Sequence, residues 1–139
     1  MFLLDTHVWL WIVEGHSRHI GRRTARLVER WAERDALRIS PLSVFEVAQL
    51  HASGRLRLSR TLEQWMAAAL ETVGGRRALL TTDAAIDAGT MGGALVPDPV
   101  DRLLIATARQ SNATFVTADR RIVDYAAATS AVRVHDARR

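Results

Sequence analysis

Residues 1–11 read MFLLDTHVWLW and place one acidic residue between two apolar segments. The first four residues suit a short buried strand, and the apolar pattern resumes at Val8. An unpaired charge between two buried segments is costly. Asp5 is therefore expected either to cap a helix that begins near His7 or to belong to a functional site.

The composition is that of a globular domain with an excess of positive charge. The chain has 139 residues, of which 48% are hydrophobic and 24% charged, and this predicts a single domain over residues 1–139. It has no cysteine, which excludes disulfides and thiolate metal ligands. All 19 basic residues are arginine, against 15 acidic residues. High arginine content is typical of GC-rich genomes, but it also suits an anionic partner.

No segment of the sequence has the pattern of a signal peptide or a membrane span. The first apolar strand is short and has no basic region before it, and no apolar run approaches the roughly 20 residues that cross a bilayer. We therefore expect a cytoplasmic protein that does not bind membranes.

Short apolar runs alternate with longer helical patterns. Strands are predicted at Phe2–Asp5, Leu37–Ser40, Ala78–Leu80, Thr114–Thr117 and Val132–Val134. Helices are predicted over 21–35, over 40–54, from Thr61 to Gly74 and Gly75, from Asp83 to Ala88, and over 98–112, with a long Gly/Pro-rich turn at 89–99. This alternation predicts an α/β fold with a central parallel sheet of about four to five strands, flanked by helices on both faces.

One predicted helix, over residues 21–35, carries arginines along one side. They recur every four residues, opposite the apolar face, at Arg22, Arg26, Arg30 and Arg34. Such a stripe is typical of a solvated helix face with weak pairs to neighbouring glutamates. It would also suit contacts with phosphates.

Four acidic residues fall near the carboxyl ends of the predicted strands, which is where open α/β sheets bind ligands. Asp5 ends the first strand, and Glu46 lies about two turns into the helix after the second. Asp101 lies in the first turn of the helix over 98–112, and Asp119 follows the strand at Thr114–Thr117. These four acids are expected to meet in one crevice.

Most of these acids also have an ordinary structural explanation. Asp5 can cap a helix, Asp101 can form a capping pair with Asp98, and Asp119 can be a turn residue. Glu46 is harder to explain in this way, because it interrupts an apolar helix face. The shared position at one edge of the sheet is what favours a site.

Several carboxylates in one crevice raise one another's pKa, and a divalent cation relieves their repulsion. Mg²⁺ and Mn²⁺ prefer oxygen ligands, and Mg²⁺ commonly binds one or two carboxylates together with substrate phosphates. Such a site can polarise a phosphodiester and activate water. The pattern therefore favours metal-dependent cleavage of a polyanion that is held by surrounding basic residues.

Four motifs resemble the PIN-domain ribonucleases and, more narrowly, the VapC toxins of type II toxin–antitoxin pairs. In chain order they are LLDTHVWLW, SPLSVFEVA, DPVDRLLIATA and VTADRRI, of which the third is the most specific. The resemblance spans nearly the whole chain. It departs at one point: a histidine often precedes the D-P-x-D run in this branch, whereas this chain has Val96 and Pro97 there.

The resemblance implies a Mg²⁺- or Mn²⁺-dependent endoribonuclease that hydrolyses RNA phosphodiester bonds as the toxin of a toxin–antitoxin pair. The catalytic acids of the family correspond to Asp5, Glu46, Asp101 and Asp119. Asp5 and Asp101 would be the main metal ligands, and Asp119 would bind a second metal ion or tune the first. Glu46 would complete the site and help to orient the attacking water.

The resemblance also implies supporting residues and partners. Three residues match positions that usually support the acids: Thr6, Asp98 and Thr117. The implied partners are an RNA substrate, a cognate antitoxin whose tail often places an arginine in the acidic pocket, and a second copy of the chain in a homodimer or a larger assembly. Arg22, Arg26 and Arg30 are then predicted to contact RNA or the antitoxin. The family does not place His7 or His51 as catalytic, and both are expected to be surface or partly buried residues.

Three other classes of α/β protein fit the sequence less well. Receiver domains need a lysine near the end of the last strand, and haloacid-dehalogenase phosphatases need a D-x-D motif and normally a lysine, but this chain has no lysine. Dinucleotide-binding domains need a glycine-rich turn after the first strand, which DTHVW lacks. A PIN-like RNA-binding or scaffold domain without catalysis is the remaining alternative. The presence of all four acids favours the nuclease.

Overall fold

The centre of the fold is a parallel sheet of four strands. The computed structural model describes residues 1–92 and 95–139, without the side chain of Ser17. In this part of the chain the strands are β1 (Phe2–Leu4), β2 (Leu37–Arg38), β3 (Thr114–Thr117) and β4 (Val134–Asp136). Their order is β2-β1-β3-β4, and every pairing is parallel, so their carboxyl ends open at one edge. This confirms the predicted fold class.

Helices cover both faces of the sheet. The described residues form α1 (Thr6–Glu14), α2 (Arg22–Glu33), α3 (Pro41–Ala52), α4 (Leu62–Glu71), α5 (Thr82–Thr90), α6 (Pro99–Gln110) and α7 (Arg120–Thr129), with a short 3-10 helix at Ser17–His19. No helix among them is both long and apolar enough to cross a membrane.

Alternating side chains of the central strands divide the core into two layers. Leu4 and Val116 are fully buried on one face, in a cluster with apolar residues of α1 to α4. Leu3 and Phe115 are fully buried on the other face, together with residues of α6 and α7. Because β1 and β3 are covered on both sides, they hold the residues that follow them at fixed positions.

The capping signals begin the helices where the sequence predicted. Ser40 caps α3 by accepting a hydrogen bond from the Leu42 backbone, with Pro41 in the first turn. The capping box of Thr61 and Gln64 opens α4. Asp98 caps α6, again with a proline next in the chain. Local side-chain chemistry therefore sets the start of each of these helices.

One predicted strand, Ala78–Leu80, is wrong. The chain makes only an isolated bridge here, between Ile39 and Arg77. Leu79 and Leu80 are 67% and 42% exposed, so the apolar run is not covered by a neighbouring layer. Apolar composition favoured a strand, but the pairing stops after the backbone N–H of Ala78 donates to Ile39, because the neighbouring chain turns into α3 at Ser40.

Other boundaries shift by a few residues. The predicted strand Val132–Val134 is wrong in its limits, because Val134 pairs with Phe115 and the strand then continues to Asp136. Strands β1 and β2 end before Asp5 and Ser40, since both of these residues cap helices. The turn predicted at 89–99 begins later, because α5 continues to Thr90, and its residues 93 and 94 lie outside the described residues.

Candidate active site

A pocket of about 430 Å³ opens at the carboxyl edge of the sheet and is lined mainly by carboxylates. Its lining residues are Asp5, His7, Trp11, Glu46, Asp98, Asp101, Ala118 and Asp119. The structure therefore brings together the four acids that the sequence singled out, although they come from four separate segments of the chain.

Asp5 caps a helix and also lines the pocket. It caps α1, because its Oδ1 accepts a hydrogen bond of 2.7 Å from the backbone N–H of Thr6. Its Oδ2 accepts a hydrogen bond of 2.6 Å from the hydroxyl of Thr117. Burial raises the pKa of Asp5 despite the opposing effects of Thr117 and His7. Asp5 is therefore a buried carboxyl, 7% exposed, that is held by two donors and lines the pocket.

Thr117 connects two of the acids. Its hydroxyl donates to Asp5 and accepts a hydrogen bond of 3.0 Å from the backbone N–H of Asp119. Asp119 caps α7, where its Oδ1 accepts from the backbone N–H of Arg121 at 2.8 Å. The end of β3 thus positions a buried acid and an exposed acid through one side chain.

Glu46 is positioned by two hydroxyl groups that lie between α1 and α3. The Thr6 hydroxyl lies 2.5 Å from Oε1 of Glu46 and 2.8 Å from the hydroxyl of Ser43. An ionised carboxylate can only accept, so the Thr6 proton goes to Glu46 while Ser43 donates to Thr6. Burial is the main cause that raises the pKa of Glu46, and the charge of Asp5 adds to it.

Ser43 was not singled out in the sequence, although it is fully buried and supports Glu46 through Thr6. The available signal was its position three residues before Glu46, which places both side chains on one face of α3. By contrast, Thr6 and Thr117 were singled out in the sequence, and their hydroxyls donate hydrogen bonds to Glu46 and Asp5.

Asp98 and Asp101 occupy the start of α6. Asp98 accepts hydrogen bonds from the backbone N–H groups of Val100 and Asp101, at 2.8 and 3.3 Å. The pKa of Asp101 is raised from 3.8 to about 7, mainly by burial and then by the charges of Asp5 and the other pocket acids. The repulsion between the carboxylates of the pocket is thus most evident at Asp101.

The negative charge of the pocket is not balanced by ion pairs with the described residues. Among the residues that the structure describes, no salt bridge involves a pocket carboxylate. The positive N-terminal ends of α1, α6 and α7 lie at Asp5, Asp98 and Asp119 and offset part of this charge. The pocket carboxylates therefore have no cationic side chain paired with them among the described residues.

The carboxylates do not form a closed set of metal ligands. Within residues 1–92 and 95–139, no group of three or more histidine, aspartate or glutamate side chains is arranged to hold a metal ion. Mg²⁺ usually keeps several waters and takes one or two carboxylates, so an open, oxygen-only pocket still fits a hydrated ion of this type. The donor set is compatible with Mg²⁺ or Mn²⁺ on these grounds.

Two arginines lie beside the carboxylates. Arg120 and Arg121 line a second pocket of about 570 Å³, which shares Asp98, Asp101 and Asp119 with the first. The predicted contact residues Arg22, Arg26 and Arg30 are exposed on α2 and are not among the described lining residues of either pocket. Of the two histidines expected to be surface or partly buried residues, His51 is partly buried, whereas His7 is exposed and also lines the acidic pocket.

Comparison with known proteins identifies the family. Residues 2–128 match the PIN domain, so the chain belongs to the PIN domain family. Ribonuclease VapC22 of Mycobacterium tuberculosis is 30% identical over 120 residues, which cover 86% of this chain and 88% of that protein. Within the family, this chain is therefore VapC-like.

Solved structures show the same fold at lower sequence identity. One of them is VapBC2 from Rickettsia felis, bound to a DNA fragment from the VapBC2 promoter. It gives a TM-score of 0.64 at 18% identity, over 96% of both chains. FitAcB from Neisseria gonorrhoeae gives a TM-score of 0.62 at 22% identity, again over 96% of both chains. These similarities agree with the parallel sheet and its flanking helices.

Proposed function

We propose that this chain is a Mg²⁺- or Mn²⁺-dependent endoribonuclease and the toxin of a toxin–antitoxin pair. The observation that carries the proposal is the pocket in which five carboxylates face one another with raised pKa values at Asp5, Glu46 and Asp101. The relative named Ribonuclease VapC22 supports RNA as the substrate. Hydrolysis of RNA phosphodiester bonds is the reaction that this combination favours.

Asp5, Asp101 and Asp119 are the proposed metal ligands. Each oxygen of Asp5 accepts one hydrogen bond and retains a second acceptor position. The side chain of Asp101 accepts no hydrogen bond within the described chain and is free to bind a cation. The chemistry that Mg²⁺ or Mn²⁺ supplies when bound is the polarisation of a phosphodiester.

Glu46 is the proposed acceptor of the proton from the attacking water. Thr6 holds Oε1, which leaves Oε2 for that water. A carboxylate with a raised pKa is a stronger base and is therefore better matched to proton transfer near neutral pH. Thr6, Thr117 and Asp98 act indirectly, by orienting the acids or by capping the helix that carries Asp101.

The proposed partners are an RNA strand, a cognate antitoxin and a second copy of the chain. The two-component assemblies VapBC2 and FitAcB, which share this fold, support a protein partner. An arginine from that partner would find five carboxylates in the pocket and would compete with a metal ion there. We place this activity in the cytoplasm, where its RNA substrate would be.

RNA cleavage by the purified, antitoxin-free protein tests the proposal. Mixed RNA is incubated with Mn²⁺, Mg²⁺ or EDTA, using the wild type, Asp5→Asn and Asp101→Asn. Asp83→Asn is the matched control, because Asp83 is an exposed aspartate on α5 that lies outside the pocket lining.

The expected result is metal-dependent cleavage by the wild type and Asp83→Asn that is lost in the two pocket variants. Cleavage by Asp5→Asn in the presence of metal would contradict the assignment. Folded wild-type protein that binds RNA but cuts none under any metal condition would favour the non-catalytic RNA-binding alternative.

A further inference from the structure

The end of β4 and the residues after it fasten the beginning of α2 to the sheet. The backbone oxygen of Ala137 accepts a hydrogen bond of 2.9 Å from the backbone N–H of Gly21, the residue at which α2 is capped. The backbone oxygen of Arg139 accepts one of 2.9 Å from the backbone N–H of Thr24, in the first turn of α2. Ala137 is fully buried. We call residues 135–139 the latch.

His135 is the side chain that joins the latch to α2. Its Nε2 lies 2.8 Å from the hydroxyl of Thr24, a residue that is fully buried. Its ring packs edge-on against Trp31, farther along α2, with centroids 5.4 Å apart and an interplanar angle of 90°. Trp31 in turn stacks on Phe2 of β1 at 3.9 Å. The imidazole therefore has a fixed position between the helix and the sheet.

The charged groups around His135 are mostly positive. Arg23 of α2 and Arg139 of the latch act on the imidazole, and Asp136 is the acid that acts on it. Asp136, however, already accepts hydrogen bonds from the guanidinium of Arg138 with both carboxylate oxygens, at 2.9 and 2.7 Å. A positive charge on His135 would therefore meet two arginines and an acid that is already paired.

The other elements packed against β4 do not supply a counter-charge for His135. Strand β3 contains no charged residue. The charge of Asp124 on α7 acts on Arg138 instead. The residues of α7 that line the groove beside His135 are apolar: Val123, Ala126 and Ala127. Burial, followed by the charges of two neighbouring arginines, lowers the pKa of His135, and only Asp136 opposes this shift.

We propose that the latch is a pH-sensitive device that releases the beginning of α2 when His135 is protonated. An imidazolium has two donors and no acceptor, so it can no longer accept a hydrogen bond from the Thr24 hydroxyl. Its charge is also added to a region where two arginines already act on the ring. Separation of the latch from α2 lets water reach the imidazolium and relieves both costs.

Release of the latch would also move arginines of α2. Arg22 and Arg26 lie on this helix on either side of Thr24, within its first two turns. They are two of the three arginines that the sequence predicts to contact RNA or the antitoxin. The latch itself does not depend on the proposed function, since it consists of hydrogen bonds within the chain. One histidine would therefore control the position of a basic surface at mildly acidic pH.

Amide hydrogen exchange, measured residue by residue by NMR, tests the latch. The reporters are the amides of Gly21 and Thr24, which donate to the latch. The amide of Ala113 is the reference, because it donates to Ala108 at the opposite edge of the sheet. Protection factors, corrected for the intrinsic exchange rate, are compared at about pH 7.5 and about pH 5, which span the range where histidine ordinarily titrates.

Two substitutions separate the charge of His135 from other effects of acid. His135→Gln keeps a polar side chain that cannot become charged. Arg23→Gln removes one of the positive charges that act on His135, at an exposed position. Arg26→Gln is the matched control, because Arg26 is an exposed arginine of the same helix and is not among the described groups that act on His135.

In wild type, the protection factors of Gly21 and Thr24 should fall severalfold at the lower pH, while that of Ala113 is kept. The fall should be absent in His135→Gln, smaller in Arg23→Gln and unchanged in Arg26→Gln, because only the first two substitutions alter the cost of charging the latch. An NMR titration of His135 should give a higher pKa in Arg23→Gln than in wild type or Arg26→Gln.

Equal protection of Gly21 and Thr24 at both pH values in wild type would overturn the inference. The same fall in His135→Gln would overturn it as well and would assign the effect of acid to other groups. A parallel fall at Ala113 would show unfolding of the whole domain instead of release of the latch. Arg23→Gln decides the matter if His135→Gln does not fold, since an unchanged fall in that variant would contradict the role of the charges around His135.

Discussion

The hydroxyl of Thr117 donates a hydrogen bond to Asp5 at 2.6 Å and accepts one from the backbone of Asp119 at 3.0 Å. This side chain links the carboxyl ends of β1 and β3 and fixes the orientation of a buried acid. It does so without adding charge, so the negative character of the pocket is retained. Neutral hydroxyls at Thr6 and Ser43 hold Glu46 in the same manner.

Thr117→Val keeps the shape of the side chain and removes its hydroxyl. RNA cleavage should fall about 10- to 100-fold, because residues that orient metal ligands typically contribute this much. The free energy of unfolding should fall by about 1–3 kcal/mol, since a buried acceptor of Asp5 loses its partner. Initial cleavage rates and urea unfolding measure the two effects. Thr117→Ser should remain close to wild type, and full activity of Thr117→Val would show that the hydrogen bond does not matter for cleavage.

The stability of the metal-free protein should decrease as the pH rises from about 4 to about 7. The pKa of Asp101 is raised from 3.8 to about 7, so the folded state keeps a proton that the unfolded chain releases. The contribution of this proton to the free energy of unfolding is fully present below pH 3.8 and is lost as the pH rises through about 7. Asp5 and Glu46 have pKa values raised in the same direction and add to the effect.

Asp101→Asn should flatten this dependence and be more stable than wild type above about pH 7, as measured by urea unfolding in EDTA. The two proteins must be compared with each other at each pH, because His135 also makes the stability of both depend on pH. Burial and the charge of Arg23 lower the pKa of His135. That shift has the opposite sign: its stability is present above pH 6.5 and is lost as the pH falls through the lowered value. Identical pH profiles for the two proteins would rule out the raised pKa of Asp101.

The two groups of arginines should differ in how they affect RNA binding. Arg120 and Arg121 line the second pocket, which shares three aspartates with the candidate active site, and their joint replacement by Gln should reduce both the affinity and its salt dependence. The sequence makes the same prediction for Arg22, Arg26 and Arg30 on α2. Salt titrations of RNA binding by both sets of variants separate the two surfaces. A set whose replacement changes neither the affinity nor the salt slope is an ordinary solvated face.

Gly21→Ala should destabilise the fold through a steric clash. A Cβ atom at Gly21 would lie 1.8 Å from the backbone oxygen of Arg139, which accepts a hydrogen bond from Thr24 in α2. The cost should be about 1–3 kcal/mol, the usual range for overpacking. Gly89→Ala in α5 is the control: it has open space around it and should stabilise the helix by about 0.5–1 kcal/mol. Urea unfolding checks both values, and equal stabilities of the two variants would contradict the clash.

The convergence of the acids was predictable from the sequence because it follows from local signals. An apolar strand ends just before Asp5, and the Asp98–Pro99 pair opens a helix, so each acid has a fixed place relative to its own element. Parallel strands then bring those places to one edge. The register of the strand pairing was not needed to predict that the acids meet at this edge.

The contacts between segments were not predictable in the same way. The hydroxyl of Ser43 reaches Thr6 only because α3 packs against α1, and no periodic pattern records that packing. Similarly, the position of Trp11 in the pocket depends on the direction in which α1 leaves β1. The error at Ala78–Leu80 has a related cause, because strand formation depends on an available partner as well as on apolar composition.

The most direct test of the account is a calorimetric titration of Mn²⁺ into the folded protein near pH 7, in two buffers of different ionisation enthalpy. Asp101 is partly protonated there, so Mn²⁺ binding should release protons from wild type and from the Asp83→Asn control, and fewer from Asp101→Asn, which should also bind more weakly. Absence of Mn²⁺ binding by folded wild-type protein, or equal affinity and proton release in Asp101→Asn, would contradict a metal site built from these carboxylates.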